Sequence, residues 1–278
     1  MSSPEHNRML NEGEEVPEEK QADVISGTAY SRSFVLQCLI DLSRGDPKAE
    51  DEGVELPERA DILVEMLESS HEVCEFVVSI DDVLLTLAGA IEEAEISHFV
   101  GEVLYPLAKC ETCTDWVLQH ADQLFFTCVS LFETLRLKEV ICAFEVLRRI
   151  LEKPELEFGI DWIRWFLQED TQQRLQFALL NAPPQMEQLP VSIFHVLKML
   201  LGAAEEMRHG YEGFLLTLDP KALLPNEEAV LLFLECVDLL DVQLDSSSAL
   251  VLFLTEQQNT LSCNSLISVM GRLIRKVE

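Results

Sequence analysis

Apolar residues spaced three and four positions apart recur from about Phe34 to Val277, and no other feature constrains the fold of this chain as strongly. Four clear examples are Ile62-Leu63-Met66-Leu67, Val103-Leu104-Leu107, Phe144-Leu147-Leu151 and Leu231-Leu234-Leu239. Side chains at this spacing lie on one face of a helix. No sustained alternation of apolar and polar residues, the pattern of a half-buried strand, competes with it. The sequence therefore predicts an all-α fold.

The helical pattern is interrupted often enough to place individual helices. One helix carries Val35, Leu39 and Leu42 and ends at residues 45–47. The others are predicted at 57–67 with an extension towards 77, 82–93, 95–109, 114–135, 138–152, 191–208, 226–240, 247–257 and 261–277. The long 114–135 segment is expected to break near Ala121.

Helix starts can be predicted from residues whose side chains accept hydrogen bonds from the free N–H groups of a first turn. Ser26 or Thr28 would begin the first helix, and the pair Asp81-Asp82 would begin the helix at 82–93. Asn226 and the serines 246–248 are further start signals. Residues 45–56 are acidic and rich in turn formers, which indicates an exposed loop.

Some helical segments resemble one another at intervals typical of helical repeats. The run Val103–Leu107 has a counterpart 43 residues later at Val146–Ile150, and a further one 50 residues on at Val196–Leu200. Intervals in the forties suit armadillo or HEAT units of two or three helices. We therefore predict an α-solenoid of degenerate armadillo/HEAT-like repeats. Amphipathic helices without any repeat relationship would give a similar correspondence, and the periodicity does not separate the two.

The domain organisation follows from charge and proline. Residues 1–24 carry seven acidic and few apolar side chains, so they cannot offset their ordering entropy and are predicted to form a disordered acidic tail. Residues 25–278 form the helical-repeat domain. A cluster of prolines at residues 182–190 is the best candidate for a sub-boundary within it.

The net charge of −30, from 50 acidic and 20 basic residues, excludes several classes of partner. A field of this sign repels nucleic-acid phosphates and anionic membrane surfaces and attracts a basic protein surface. The acidic exterior could also serve solubility alone. No apolar run is long enough to span a bilayer, and the N-terminus lacks the apolar stretch of a secretory signal. We therefore expect no membrane association, no nucleic-acid binding and reduced thiols.

Cys110 and Cys113 form the only Cys-x-x-Cys pair, a spacing used by zinc sites and by redox enzymes. A zinc site needs two more ligands, and the nearest candidates, His120 and Cys128, have no standard spacing. A thioredoxin-like motif would follow a strand, whereas these flanks are helical. The zinc, redox and plain-thiol interpretations stay open, with the last favoured. Five other cysteines, which we interpret as small buried apolar residues, lie in helical segments: Cys38, Cys74, Cys128, Cys142 and Cys236.

No pattern indicates catalysis. Gly-x-Ser-x-Gly, Walker, His-Glu-x-x-His and dinucleotide motifs are absent. His195 is interpreted as a partly buried helix residue. Trp162, Trp165 and Phe166 are either core residues or an interface anchor, and their helical spacing favours the core. The acidic pairs are interpreted as solvated faces: Glu92-Glu93, Glu205-Glu206 and Glu227-Glu228. We expect no catalytic, cofactor-binding or metal-binding residue.

Residues 25–32, Ile-Ser-Gly-Thr-Ala-Tyr-Ser-Arg, resemble the segment that follows the acidic tail in the serum amyloid A-like, or synoviocyte proliferation-associated, armadillo-type family, where the pattern is Ile-Gly-Ser-Thr-x-Tyr-Ser. Glu72-Val-Cys74 and Ser79–Val83 are similar to that family's Glu-Ile-Cys and Ser-x-Asp-x-Asp-Val. Its tryptophan there is replaced by Phe76 and Val77. Its Val-Gly-Ile-Leu-Gly-Asn-x-Ala motif becomes Gly101–Ala108, retaining only Leu104 and Ala108. The resemblance covers roughly residues 1–150.

The resemblance implies a nuclear or cytoplasmic helical-repeat protein linked to cell proliferation, and it supplies no catalytic residues. Together with the residue patterns it predicts a non-enzymatic scaffold or adaptor that binds protein partners on a helical surface. Two alternatives stay open. One is a small metal- or thiol-dependent protein that uses Cys110 and Cys113, and the other is a helical subunit of an obligate complex.

Overall fold

The computed structural model describes residues 23–44, 56–92, 97–156, 159–183, 186–223, 226–240, 242–246, 248–257 and 264–277. Over these residues the fold is helical and contains no β-strand. Two isolated bridges pair Val24 with Ser31 and Leu244 with Val277. The prediction of an all-α fold is confirmed.

Fifteen α-helices are found in the described part of the chain. The first eight are α1 (Arg32–Arg44), α2 (Leu56–Ser69), α3 (His71–Val78), α4 (Val83–Gly89), α5 (Ser97–Lys109), α6 (Thr114–Gln119), α7 (Ala121–Glu133) and α8 (Leu137–Leu151). The others are α9 (Ile160–Phe166), α10 (Glu169–Asn181), α11 (Gln188–Ala203), α12 (Glu205–Thr217), α13 (Glu227–Leu239), α14 (Ala249–Gln257) and α15 (Asn264–Ile274). Short 3₁₀ helices lie at Ala90–Glu92, Glu111–Cys113 and Pro220–Leu223.

The predicted break near Ala121 is confirmed, because α6 ends at Gln119 and α7 begins at Ala121. Two other breaks were not predicted. Ser70 separates α2 from α3, and its hydroxyl accepts a hydrogen bond from the backbone N–H of Val73 at 3.4 Å. Ala204, in an extended conformation, divides the predicted 191–208 helix into α11 and α12.

The chain's first described residues are held by hydrogen bonds before α1 begins. The backbone N–H of Arg32 donates to the Asp23 carbonyl at 2.6 Å, and that of Ile25 donates to the Tyr30 carbonyl at 2.9 Å. Gly27, with φ of +85°, permits the turn between them. The predicted start at Ser26 or Thr28 is therefore wrong, since these residues belong to the turn. Asp23 and Val24, assigned to the tail, join the fold, while residues 1–22 lie outside the described residues.

The helices are arranged in two rows. In the first row α2, α5, α8, α11, α13 and α15 follow one another, each packed against the next. In the second row α1 packs against α4, α4 against α7, and α9 against α12. The second row also links α7 to α9, because Phe125 stacks on Trp162 with ring centroids 4.4 Å apart. The rows pack together through pairs such as α1 with α2 and α7 with α8.

Hydrogen bonds between neighbouring helices of a row join residues about forty positions apart. Trp162 donates to the Asp122 carboxylate at 2.8 Å, 40 residues away, and the Tyr211 hydroxyl donates to the Phe166 carbonyl at 2.9 Å, 45 residues away. The three similar runs at Val103, Val146 and Val196 lie on α5, α8 and α11, which are consecutive members of the first row.

The candidate sub-boundary at residues 182–190 falls between α10 and α11. The core is continuous across it, because buried residues on both sides belong to one apolar cluster and α11 packs directly against α8. Ser192 on α11 also donates a hydrogen bond to Glu145 on α8.

Candidate functional site

A groove of about 900 Å³ lies where the end of α3 and the start of α4 face α6 and α7. Residues from these four helices and the turn between α3 and α4 line it. They are Val78, Ser79, Ile80, Asp81, Asp82, Val83, Leu84, Leu85, Ala88, Trp116, Gln119, His120, Gln123, Phe126 and Thr127. We call this the α4–α7 groove.

The walls of the α4–α7 groove carry large apolar side chains that the core does not cover. Leu85 on α4 is 73% exposed and Phe126 on α7 is 52% exposed. Trp116 is half-buried, and its ring contacts that of His120 at a centroid distance of 5.2 Å. Exposed apolar side chains that share one concave surface are typical of sites that bind another molecule.

The rim of the groove is acidic. Asp81 and Asp82 are exposed, and none of the described lining residues is lysine or arginine. Asp82 occupies the N-cap position of α4, as predicted, but in a left-handed conformation with φ of +58° and without a side-chain capping bond. Its carboxylate therefore does not accept the hydrogen bonds from the first helical N–H groups that the sequence predicted. An apolar wall beside a negative rim suits an amphipathic, basic ligand.

The sequence did not single out this groove, although one local signal was present. Phe125 and Phe126 are adjacent on a helix, so both cannot face the same core. Phe125 is fully buried against Trp162 and Phe166, and Phe126 consequently projects outwards. Leu84 and Leu85 repeat this pattern on α4, with Leu84 buried and Leu85 exposed. The sequence could not show that the two outward residues, Leu85 and Phe126, line the same groove.

The Cys-x-x-Cys pair lies elsewhere, at the junction of α5 and α6. Cys110 is half-buried and Cys113 is buried. Burial and then charge on Cys110 raise the pKa of the Cys74 thiol on α3, so the two cysteines are neighbours. The sequence interpretation missed this because 36 residues separate them. Cys110 and Cys74 both line a second groove of about 690 Å³. We call these residues, Cys74, Cys110 and Cys113, the thiol cluster.

The two extra ligands considered for zinc do not belong to the thiol cluster. His120 lies in the α4–α7 groove, with its Nδ1 atom 2.9 Å from the Trp116 carbonyl. Cys128 is buried in α7 near Cys142. Across the residues that the structure describes, no three His, Cys, Asp or Glu side chains converge as a metal ion requires.

Most other interpretations of single residues agree with the structure. Trp162 and Phe166 are core residues, each 1% exposed. His195 is a partly buried residue of α11, and burial lowers its pKa. Among the acidic pairs, Glu205, Glu206, Glu227 and Glu228 are exposed, whereas Glu93 and the side chain of Glu92 lie outside the description.

One assignment among the cysteines needs correction. Cys142 is half-buried, unlike Cys38, Cys74, Cys128 and Cys236, which are buried as predicted. Near the C-terminus, Lys276 donates to the carbonyls of Asp238 and Leu240 at 2.7 and 2.9 Å, so it caps the end of α13.

Comparison with known proteins identified no protein similar to this chain. No protein-family model, no curated protein and no solved structure matches the chain. None of the helices in the described ranges combines the length and apolarity that a bilayer span needs.

Proposed function

We propose that this protein is a non-enzymatic helical-repeat adaptor and that the α4–α7 groove binds a basic, amphipathic helical segment of a protein partner. The observation that carries the proposal is the pairing of exposed Leu85 and Phe126 with an acidic rim in one groove. A helical ligand would place apolar residues against these two side chains and its lysines or arginines towards Asp81 and Asp82. The charge of −30 would accelerate the encounter with such a ligand.

The arrangement of the helices supports a repeat protein. Within each row, every helix packs against the next helix of that row. The hydrogen bonds between these helices join residues about forty positions apart. Degenerate armadillo/HEAT-like units would produce this pattern, because each repeat of a solenoid contacts mainly its neighbours. The resemblance of residues 1–150 to the serum amyloid A-like family favours the same architecture and a role in the nucleus or cytoplasm connected with proliferation.

The binding proposal can be tested with two synthetic helical peptides of equal length and identical apolar face. One carries lysine and arginine on its polar face, and the other carries aspartate and glutamate. Fluorescence anisotropy should show binding of the basic peptide only. The variant Leu85→Ser/Phe126→Ser should weaken that binding at least about tenfold, since burial of each large apolar side chain contributes roughly 1.5–3 kcal/mol.

A matched control comes from the same chain. Leu252 on α14 is 54% exposed and lies outside the groove, so Leu252→Ser should leave peptide binding unchanged. Asp81→Asn/Asp82→Asn should slow association and reduce its dependence on salt, because it removes two charges from the rim. Equal binding of both peptides would contradict the proposal, as would basic-peptide binding that Leu85→Ser/Phe126→Ser leaves intact. Binding of that kind would reflect net charge alone.

A further inference from the structure

The thiol cluster carries an inference that is independent of the α4–α7 groove. We propose that Cys110 and Cys113 form a redox-active dithiol that exchanges with small disulfides, in which Cys110 is the attacking sulfur and Cys113 the resolving sulfur. Three observations support this proposal. Cys110 and Cys113 lie at the two ends of one turn, Cys110 is half-buried whereas Cys113 is buried, and Cys110 lines a groove of about 690 Å³.

The backbone geometry permits a disulfide between the two residues. The N–H of Cys113 donates to the carbonyl of Cys110 at 3.3 Å, which closes a turn with these cysteines at its ends. The Cα atoms at the ends of such a turn lie less than about 7 Å apart. Disulfides bridge Cα separations of about 4.4–6.8 Å. Burial and then charge on Cys110 raise the pKa of Cys113, which places the two sulfurs near one another.

The environments of the two sulfurs assign their roles. Burial opposes ionisation of Cys110. The pKa of Cys110 is nevertheless lowered, because hydrogen bonds to its sulfur outweigh the effect of burial. The donors are the Thr112 hydroxyl at 3.2 Å, the Cys113 thiol and the backbone N–H groups of Thr112 and Cys113. Burial raises the pKa of Cys113 to about 12, with a further contribution from Cys110. Since the thiolate is the nucleophile, Cys110 reacts first.

The exchange has two balanced steps. The Cys110 thiolate attacks one sulfur of the small disulfide, forming a mixed disulfide while the first thiolate leaves with the electron pair of the broken bond. Cys113 then loses its proton and attacks the Cys110 sulfur, which expels the second thiolate. The two released thiolates take up two protons. The protein dithiol has lost two electrons, and the small disulfide has gained them.

The mixed disulfide also prepares the second step. Charge on Cys110 is one cause of the raised pKa of Cys113, and formation of the mixed disulfide removes that charge. The pKa of Cys113 should therefore fall once the mixed disulfide has formed, which is the step in which Cys113 must ionise. Cys74 is less suited to resolve the mixed disulfide, because its thiol donates a hydrogen bond to the Leu67 carbonyl at 3.2 Å.

The test uses the full chain in a glutathione redox buffer, followed by alkylation of free thiols and peptide mass spectrometry. The wild-type protein should form a Cys110–Cys113 disulfide. Cys113→Ser should accumulate one glutathione on Cys110, and Cys110→Ser should form neither product. Cys142→Ser, which removes the other half-buried thiol among the described residues, should behave like wild type. A Cys74–Cys110 disulfide, glutathione mainly on Cys142, or no oxidation would overturn the proposal.

Substitution of buried Cys113 could impair folding, so a second measurement uses the wild-type protein alone. Limiting iodoacetamide should alkylate Cys110 at least about tenfold faster than Cys142, because burial raises the pKa of Cys142. Thr112 is exposed, so Thr112→Val should be tolerated by the fold. This substitution should slow alkylation of Cys110, because it removes the hydroxyl that donates to the Cys110 sulfur. Equal rates at the two cysteines would contradict the assignment of Cys110 as the attacking sulfur.

Discussion

Asp41 on α1 and Arg59 on α2 form a buried ion pair, with 2.6 Å between the Arg59 Nη1 and Asp41 Oδ2 atoms. Their side chains are only 4% and 9% exposed. The second carboxylate oxygen of Asp41 accepts a hydrogen bond from the Gln37 amide at 2.7 Å, so both oxygens have a donor. The pair joins the first two helices of the described residues, α1 in the second row and α2 in the first.

Removal of one partner should be costly, because the other charge would stay buried and lose this 2.6 Å ion pair. We expect Asp41→Leu or Arg59→Met to lower the free energy of unfolding by about 3–5 kcal/mol in urea titrations. The double variant Asp41→Leu/Arg59→Met should recover most of this loss. Arg164→Met, which breaks a pair whose side chains are both 68% exposed, serves as the control and should cost less than about 1 kcal/mol. Additive losses in the double variant would show that the two charges are not coupled.

Gly101 lies where α5 packs closely against Cys142 of α8. A Cβ atom at Gly101 would lie 2.3 Å from the Cβ atom of Cys142, so Gly101→Ala should force the helices apart and cost about 1–3 kcal/mol. Gly210 offers a comparison, because a Cβ atom there would meet the flexible end of Leu167 at 2.1 Å. Gly210→Ala should cost less than Gly101→Ala, since Leu167 can move and alanine favours a helix over glycine by about 1 kcal/mol.

A rescue experiment identifies the atom responsible. Because the clash involves the Cβ atom of Cys142, Cys142→Ala should not relieve it and Cys142→Gly should. We therefore expect Gly101→Ala to be destabilising in the Cys142→Ala background and neutral or stabilising in the Cys142→Gly background, measured by thermal unfolding. Loss of stability of the same size in both backgrounds would show that the cost arises elsewhere.

The parts of the fold that the sequence predicted are those that depend on local apolar periodicity. The predicted ends of helices α5, α8 and α13 lie within two residues of the observed ends. These helices have a regular apolar face, and residues typical of helix ends flank them. Helix α10 was missed, because it starts with a polar run and buries only four side chains: Thr171, Leu175, Ala178 and Leu179. Its helical conformation is fixed by packing against α9 and α11, which local sequence does not reveal.

The candidate sites depend on residues that are far apart in sequence. Leu85 and Phe126 are 41 positions apart and line the same groove only because α4 packs against α7. Cys74 reaches Cys110 because α3 packs against α5 and the 3₁₀ helix at Glu111–Cys113. Sequence spacing identified the Cys110–Cys113 pair but could not show that Cys110 faces a groove while Cys113 is buried.

Stability should decline on mild acidification, because two partly buried histidines resist protonation. Burial is the main cause that lowers the pKa of His98 and His195, with smaller contributions from Lys138 and Arg148 respectively. The unfolded chain, with a histidine pKa of about 6.5, binds protons that the folded chain does not. The stabilising effect of the neutral rings is therefore present above about pH 6.5 and is lost as the pH falls through the lowered values.

Variants separate this effect from general acid sensitivity. His98→Gln/His195→Gln should show a shallower fall in melting temperature between about pH 7 and pH 5.5 than the wild-type protein. His209→Gln provides the control, since His209 is exposed on α12, and it should show the same fall as wild type. If the double variant followed the wild-type curve, other groups would account for the pH dependence.

The last prediction concerns where the folded domain begins. Removal of residues 1–22 should change the melting temperature by less than about 3 °C, because these residues carry charge and few apolar side chains to bury. Removal of residues 1–24 should lower it further. It takes away the Asp23 carboxylate, which accepts from the Ser33 N–H at 3.0 Å and from the hydroxyls of Ser31 and Ser33. It also removes the Asp23 carbonyl that accepts a hydrogen bond from the Arg32 N–H.

Differential scanning calorimetry of the two truncated chains, together with the full-length Asp23→Ala variant, measures the contribution of Asp23 to the melting temperature. Equal melting temperatures for both truncations would place the start of the folded domain after Val24.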